Sequence, residues 1–187
     1  DSIAASWGPR LLRLSQKKEK NLELNIHVHR STLVEENVKL GRYHLGLCAS
    51  TPNDNQLVSD LISEEAMVLL HNKFDPESVS KKLITIEPNS ATWKVVGEKV
   101  LKHPKLKNFE LIYVESFSAI VQMVKEGFGH GLVPIGVALT MGAPKKSIQL
   151  LLPSIKREIR LKKKKNISLL PSVQSFLNSL KETSKEL

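Results

Sequence analysis

The sequence predicts an α/β protein of two lobes, and three observations carry that prediction. Residues 111–134 read as strand, helix, strand. Leu111-Ile112-Tyr113-Val114 is β-rich, Phe117, Ile120, Val121 and Val124 then fall at i, i+3, i+4 and i+7, and Gly131-Leu132-Val133 is short enough for a buried strand. Short apolar runs also alternate with helical patterns along the rest of the chain, the order that builds parallel sheets through right-handed crossovers. Finally, the polar stretch from His71 to Pro76, broken by its proline, reads as the crossing into a second lobe.

Bulk properties agree. The 187 residues suffice for one sizeable domain or two small lobes, and 41% hydrophobic with 25% charged residues is ordinary for a soluble globular protein. No apolar run approaches the roughly 20 residues that a membrane span needs, and the start carries no signal-like sequence. Cys48 is the only cysteine, so no intrachain disulfide is possible, which fits a reducing cytoplasm. A chain that begins at Asp1 with a helix suggests a longer protein, with a first strand just upstream. The net charge of +9 invites a nucleic-acid reading, but the excess is local: from Lys145 onward there are 11 Lys/Arg against 3 Asp/Glu. It gathers at Lys162 to Lys165 with no aromatics interleaved, so a solvated strand end is expected there.

In chain order, Ser2 to Leu14 reads as a helix capped by Ser2, with Ile3, Trp7, Leu11 and Leu14 inward. Leu22, Leu24, Ile26 and Val28 alternate with polar residues and predict a one-sided strand. Thr32 with Glu35 forms a capping box for a helix that buries Leu33, Val34 and Val38 and ends at Gly41. Leu45 to Ala49 is a buried strand, followed by Ser50, Thr51 and a loop; Ala66 to Leu70 is the next. Leu83 to Ile86 is a strand ending in Pro88-Asn89-Ser90, and the helix after it faces inward through Trp93, Val96 and Val100. Ser116 is a natural N-cap for the 117–126 helix and Gly127 its stop. A helix follows Pro134 to about Met141, Ile148 to Leu152 and Ile155 to Leu161 are strand candidates, and Val173, Phe176, Leu177 and Leu180 mark a last helix entered near Pro171.

Competing motifs are weak. His27-x-His29 has metal-ligand spacing but no identifiable third ligand. Gly127-x-Gly129-x-Gly131 follows a helix and precedes a strand, the wrong order for a dinucleotide loop, so close turn packing is expected. Cys48 in an apolar strand reads as core. Glu115 beside Ser116 reads as an electrostatic or hydrogen-bonding feature of the cleft rather than a general base. No nucleophile elbow, metalloprotease motif or Walker loop occurs, so no enzyme is expected and no cofactor.

Three signatures, in this order and spacing, resemble the effector-binding domain of LysR-type transcriptional regulators. Asp1 to Ser6 is similar to the family's "S-x-A-x-x-L-P" first helix, with Trp7-Gly8-Pro9 where Leu-Pro is usual. Leu40 to Leu47 is similar to "L-x-x-G-x-x-D-L-G-I", with His44 in place of the Asp. Ser116 to Pro134 is similar to "S-x-x-x-x-x-x-V-x-x-G-x-G-x-x-x-L-P" and is the strongest of the three. The resemblance implies a fold of two Rossmann-like lobes joined by two crossover segments, like type 2 periplasmic binding proteins. It implies lobe I at 1–71 plus 135–187, lobe II at 72–134, and a ligand in the cleft. It further implies a homodimer (a higher oligomer for the full-length protein) and a winged helix-turn-helix upstream, through which alone DNA would be bound.

On that fold, strand ends and matching motif positions nominate Ser2, Ser50, Thr51, Asn89, Ser90, Ser116 and Phe117 as ligand-binding residues. Ligands of open α/β sheets bind outside the carboxyl ends of strands, and hydroxyls beside helix N-termini suit an anionic or zwitterionic small molecule. A solute-binding protein of a transport system would share the fold and is the alternative reading.

Overall fold

The structure, a computed structural model, describes residues 2–17, 22–50 and 54–186. Six helices of α type and six strands alternate among the described residues: α1 (Gly8–Gln16), α2 (Ser31–Lys39), β1 (Gly46–Ala49), β2 (Leu57–Leu70), β3 (Lys82–Ile86), α3 (Ala91–Lys102), β4 (Glu110–Val114), α4 (Phe117–Lys125), β5 (His130–Pro134), α5 (Ile135–Thr140), β6 (Ile148–Lys164) and α6 (Pro171–Thr183). They form two compact units, residues 3–63 with 158–187, and residues 64–157. The chain passes from one to the other along β2 and again along β6.

In the first unit, β1 pairs antiparallel with β6 from Gly46↔Lys162 to Ala49↔Ile159. Helices α1 and α6 close its core, where Leu11, Phe176, Leu177 and Leu180 meet Ile62 and Leu161. Helix α2 buries Val34 and Val38 over β1. A side chain at Gly46 would come within 2.6 Å of Val34 Cγ1, so the absence of a Cβ there sets how closely α2 can lie.

In the second unit the strand order is β2-β5-β3-β4. Strand β3 runs parallel to β4 and to β5, and β2 is antiparallel to β5. The predicted strand-helix-strand of residues 111–134 is therefore β4-α4-β5, its two strands parallel with β3 inserted between them. Trp93, Val96 and Val100 of α3 and Phe117, Ile120, Val121 and Val124 of α4 pack with Leu83, Ile84, Leu132, Val133 and Met67 to Leu70. Gly131 permits this: a Cβ there would meet Val124 Cγ2 at 2.7 Å and Ile120 Cγ2 at 2.9 Å. The Gly127-Gly129-Gly131 run is a packing and turn device, with Gly127 in the left-handed region at φ +90°.

Several local expectations are corrected. Residues 2–7 are turns rather than helix, so Ser2 does not cap α1. The helix starts at Gly8 because Pro9 suits a first turn, where its missing N–H costs nothing. Residues 22–30 form no regular element, so the alternation there makes no ladder. Leu22 and Leu24 still pack inward, while Ile26 and Val28 are exposed. Helix α2 begins at Ser31, one residue before the expected cap Thr32, and Ser31 Oγ instead accepts a hydrogen bond from the Ala49 amide at 3.0 Å. Leu33 points outward. Strand β2 starts nine residues before Ala66, and β6 is one strand rather than two. Of the lysine run, Lys162 is buried with Nζ 2.8 Å from Glu35 Oε1. The compact units also differ from the lobes implied by resemblance. Residues 64–71 and 135–157 fall with 72–134, because Met67 to Leu70 ladder onto β5, and Val137, Ala138, Leu151 and Ile155 join that core.

Candidate functional site

The three parallel strands of the second unit end on one edge, at Ile86, Val114 and Pro134, and a helix starts after each. The Glu87 amide donates to Val114 O at 2.9 Å, which locks the first two ends together. Four of the predicted site residues stand there. Asn89 is exposed in the turn before α3. Ser90 caps α3, its Oγ accepting from the Trp93 amide at 3.0 Å, and its hydroxyl proton remains a donor. Ser116 occupies the N-cap position of α4 with extended backbone, but its hydroxyl does not cap that helix, contrary to expectation. Phe117 opens α4 and is buried.

Beneath this edge lies a charged network that the sequence reading did not nominate. Arg157 of β6 donates from Nε and Nη2 to Glu65 Oε2 at 3.1 and 2.6 Å, and from Nη1 to Thr92 Oγ1 at 3.2 Å. Glu65 Oε1 accepts from the Gly136 amide at 3.3 Å. The guanidinium carbon sits 5.3 Å from the centre of the Phe117 ring, within cation–π range. Arg157 is 1% and Glu65 5% exposed. Burial pulls the Arg157 guanidinium below its usual range, and the adjacent Glu65 carboxylate opposes that shift. A signal for Arg157 did exist: Ile155, Arg157, Ile159 and Leu161 share one face of a strand, so the arginine falls on an apolar stripe and must find a partner inside.

In the first unit, Ser50 follows β1. It is buried, its amide donates to Glu158 O at 3.4 Å, and its hydroxyl has no hydrogen-bond partner among the described residues. Ser2, which groups with the second unit, begins the half-buried turn before α1. Thr51 lies outside the described residues.

Burial pushes the Cys48 thiol up to about 12, so almost no thiolate forms near neutral pH. His27 and His29 stack on Tyr43, with ring centres 5.0 and 6.2 Å away. No group of three or more His, Cys, Asp or Glu is placed to hold a metal among the described residues. A shallow groove of about 530 Å³ lies at the far end of α3, lined by Glu98, Lys102, His103, Pro104 and Pro153, and contains none of the predicted residues. His103 is held as a structural brace: its Nδ1 accepts from the Lys105 amide at 3.2 Å, so the other ring nitrogen donates to Pro153 O at 3.1 Å. No helix among the described residues is long and apolar enough to cross a membrane.

Comparison with known proteins bears on this arrangement. A family model described as the LysR substrate binding domain matches residues 1–185. No curated protein sequence is significantly similar to the chain. Among solved structures, the chain is similar to the effector-binding domain of QuiR in complex with shikimate, at 16% identity and a TM-score of 0.78, covering 99% of this chain and 93% of that one. It is also similar to CbnR, a LysR family transcriptional regulator, at 16% identity and a TM-score of 0.76, covering 98% of this chain and 67% of that one. An OxyR mutant from Porphyromonas gingivalis gives 16% identity and a TM-score of 0.74, with 97% and 89% covered. At these identities the likeness is one of fold.

Proposed function

The chain belongs to the LysR substrate-binding-domain family, and from that premise we propose that it senses a small metabolite and passes the signal to a DNA-binding part of the same regulator. The family is one of regulatory binding domains rather than of catalysts, and it favours this reading over a transport solute-binding protein of like fold. The observation that supports the proposal is the shared edge of β3 and β4, where paired strands end and α3 and α4 start, with Ser90 and Ser116 at their N-cap positions. Helix starts of this kind favour a carboxylate or another negatively polarised group.

The ligand is a carboxylate-bearing or zwitterionic metabolite, held by Asn89, Ser90, Ser116 and Phe117 at the strand ends of residues 64–157, with Ser2, Ser50 and Thr51 as the further candidates. The shikimate bound by QuiR, a hydroxylated carboxylate, is of the class such donors suit. The regulator works in the cytoplasm as a homodimer, and DNA is contacted outside this chain. Ligand binding acts by its differential affinity for two arrangements of the protein.

A thermal-shift screen against amino acids, hydroxy acids and other organic acids tests the reading. A ligand at about 100 times its dissociation constant stabilises the fold by roughly 2.7 kcal/mol. For a domain of this size that is a rise in Tm of about 5–11 °C. Ser116→Trp should abolish the response while leaving the unliganded Tm within a few degrees. A panel without a hit, or a hit that Ser116→Trp leaves intact, overturns the proposed site.

A further inference from the structure

The Glu65–Arg157 pair touches the start of every helix that follows a parallel strand of its unit. Arg157 binds Thr92, the second residue of α3, and lies over Phe117, the first residue of α4; Glu65 binds the amide of Gly136, the second residue of α5. The two residues also stand where the chain changes unit. The boundary falls between Ser63 and Glu64 on β2 and between Arg157 and Glu158 on β6. One interaction thus joins three helix starts to the two strands by which the chain enters and leaves residues 64–157.

Stability alone does not account for such a pair. Desolvating two charges offsets most of their attraction, and well-packed apolar residues of similar size often serve as well or better. What an apolar pair cannot reproduce is direction. A guanidinium has donors in a fixed planar fork, and a carboxylate accepts along defined lone pairs, so the partners are held at set positions as well as in contact.

We propose that the Glu65–Arg157 pair is the positioning element of the ligand-binding end, fixing the starts of α3, α4 and α5 against β2 and β6. This rests on reading that end as the ligand site. Glu65 and Arg157 are positioning residues, acting through Thr92, Phe117 and Gly136 rather than on the ligand.

The test is hydrogen exchange, residue by residue, on the 187-residue chain without any ligand. In Glu65→Met/Arg157→Met, amides at 91–93, 117–120 and 135–137 should exchange at least about tenfold faster. Amides of β3 at 83–86 and of α3 at 97–100 should keep their wild-type rates, and Tm should stay within a few degrees. A merely structural role would raise exchange in all these segments together and lower Tm with them, and that result overturns the proposal, as does wild-type exchange throughout. Glu65→Gln is the second variant. It keeps one acceptor for Gly136 but loses the charge facing Arg157, so faster exchange at 91–93 and 117–120 with 135–137 unchanged supports the assignment of each contact. Uniform change in that variant counts against it. Because no ligand enters the measurement, localised exchange upholds the positioning role even where the metabolite panel is silent, and a hit in the panel does not rescue it.

Discussion

Glu65→Ala breaks the most deeply buried ion pair among the described residues. The substitution removes the acceptor of two Arg157 bonds, at 3.1 and 2.6 Å, and of the Gly136 amide at 3.3 Å. Arg157, 1% exposed, is left with Thr92 and the face of Phe117. An uncompensated buried charge of this kind costs about 3–5 kcal/mol, which in a domain of this size lowers Tm by about 6–20 °C. The neighbouring pair on the same two strands supplies the control. Lys156 Nζ and Glu64 Oε2 are 3.1 Å apart but both about half exposed, so Glu64→Ala should cost no more than about 1 kcal/mol. The assay is urea unfolding followed by Trp93 fluorescence in a Trp7→Phe background, since the chain has two tryptophans and Trp93 alone reports on the unit that holds the pair. Midpoints should fall with an unchanged slope. Equal losses in Glu65→Ala and Glu64→Ala would refute the reasoning, and so would a Glu65→Met/Arg157→Met protein as unstable as Glu65→Ala.

Three further outcomes are expected. Cys48, its thiol pushed up to about 12 by burial, should resist iodoacetamide at pH 8 until urea unfolds the first unit; prompt labelling of the folded chain would contradict its placement. His71 and His130 lie with ring centres 5.5 Å apart, burial lowers both of their pKa values, and His130 Nδ1 accepts from the Asn72 amide at 3.2 Å. Both should therefore be neutral when folded, with stability fully present above the unfolded value of about 6.5 and declining as pH falls below it toward the folded values. Unfolding midpoints that are flat between pH 7.5 and 5, or that rise on acidification, would exclude this. Gly131→Ala should cost about 1–3 kcal/mol through overpacking against Val124 and Ile120, and a neutral result in urea titrations would mean α4 can shift on the sheet.

The helices with strong stripes were legible without the structure, because burial of one face is written in residue spacing. Phe117, Ile120, Val121 and Val124 are all buried as their period requires, as are Trp93, Val96 and Val100. The LysR resemblance lies in the same kind of local pattern: a serine before a helix, then spaced glycines and a proline. Strand pairing was less legible. Leu22 to Val28 has the alternation of a strand, yet a ladder needs backbone pairing with a second chain segment, and residues 22–30 are in no strand.

The succession of helices, the inward faces of α3, α4 and α6, and the glycine stop at Gly127 were determined by the sequence alone, since each depends on neighbours within a few residues. Which polar groups meet was decided only by the tertiary structure. Arg157 could be placed on a buried face by its alternation with Ile155 and Ile159, but nothing local names Glu65, 92 residues away, or Thr92 as its partners. The same holds for Ser31, whose hydroxyl serves Ala49 across the sheet edge rather than its own helix. Hydrophobic burial needs only a side chain of the right kind at the right period. A hydrogen bond needs a particular donor and acceptor within about 3 Å and in line, and that coincidence exists only once the chain has folded.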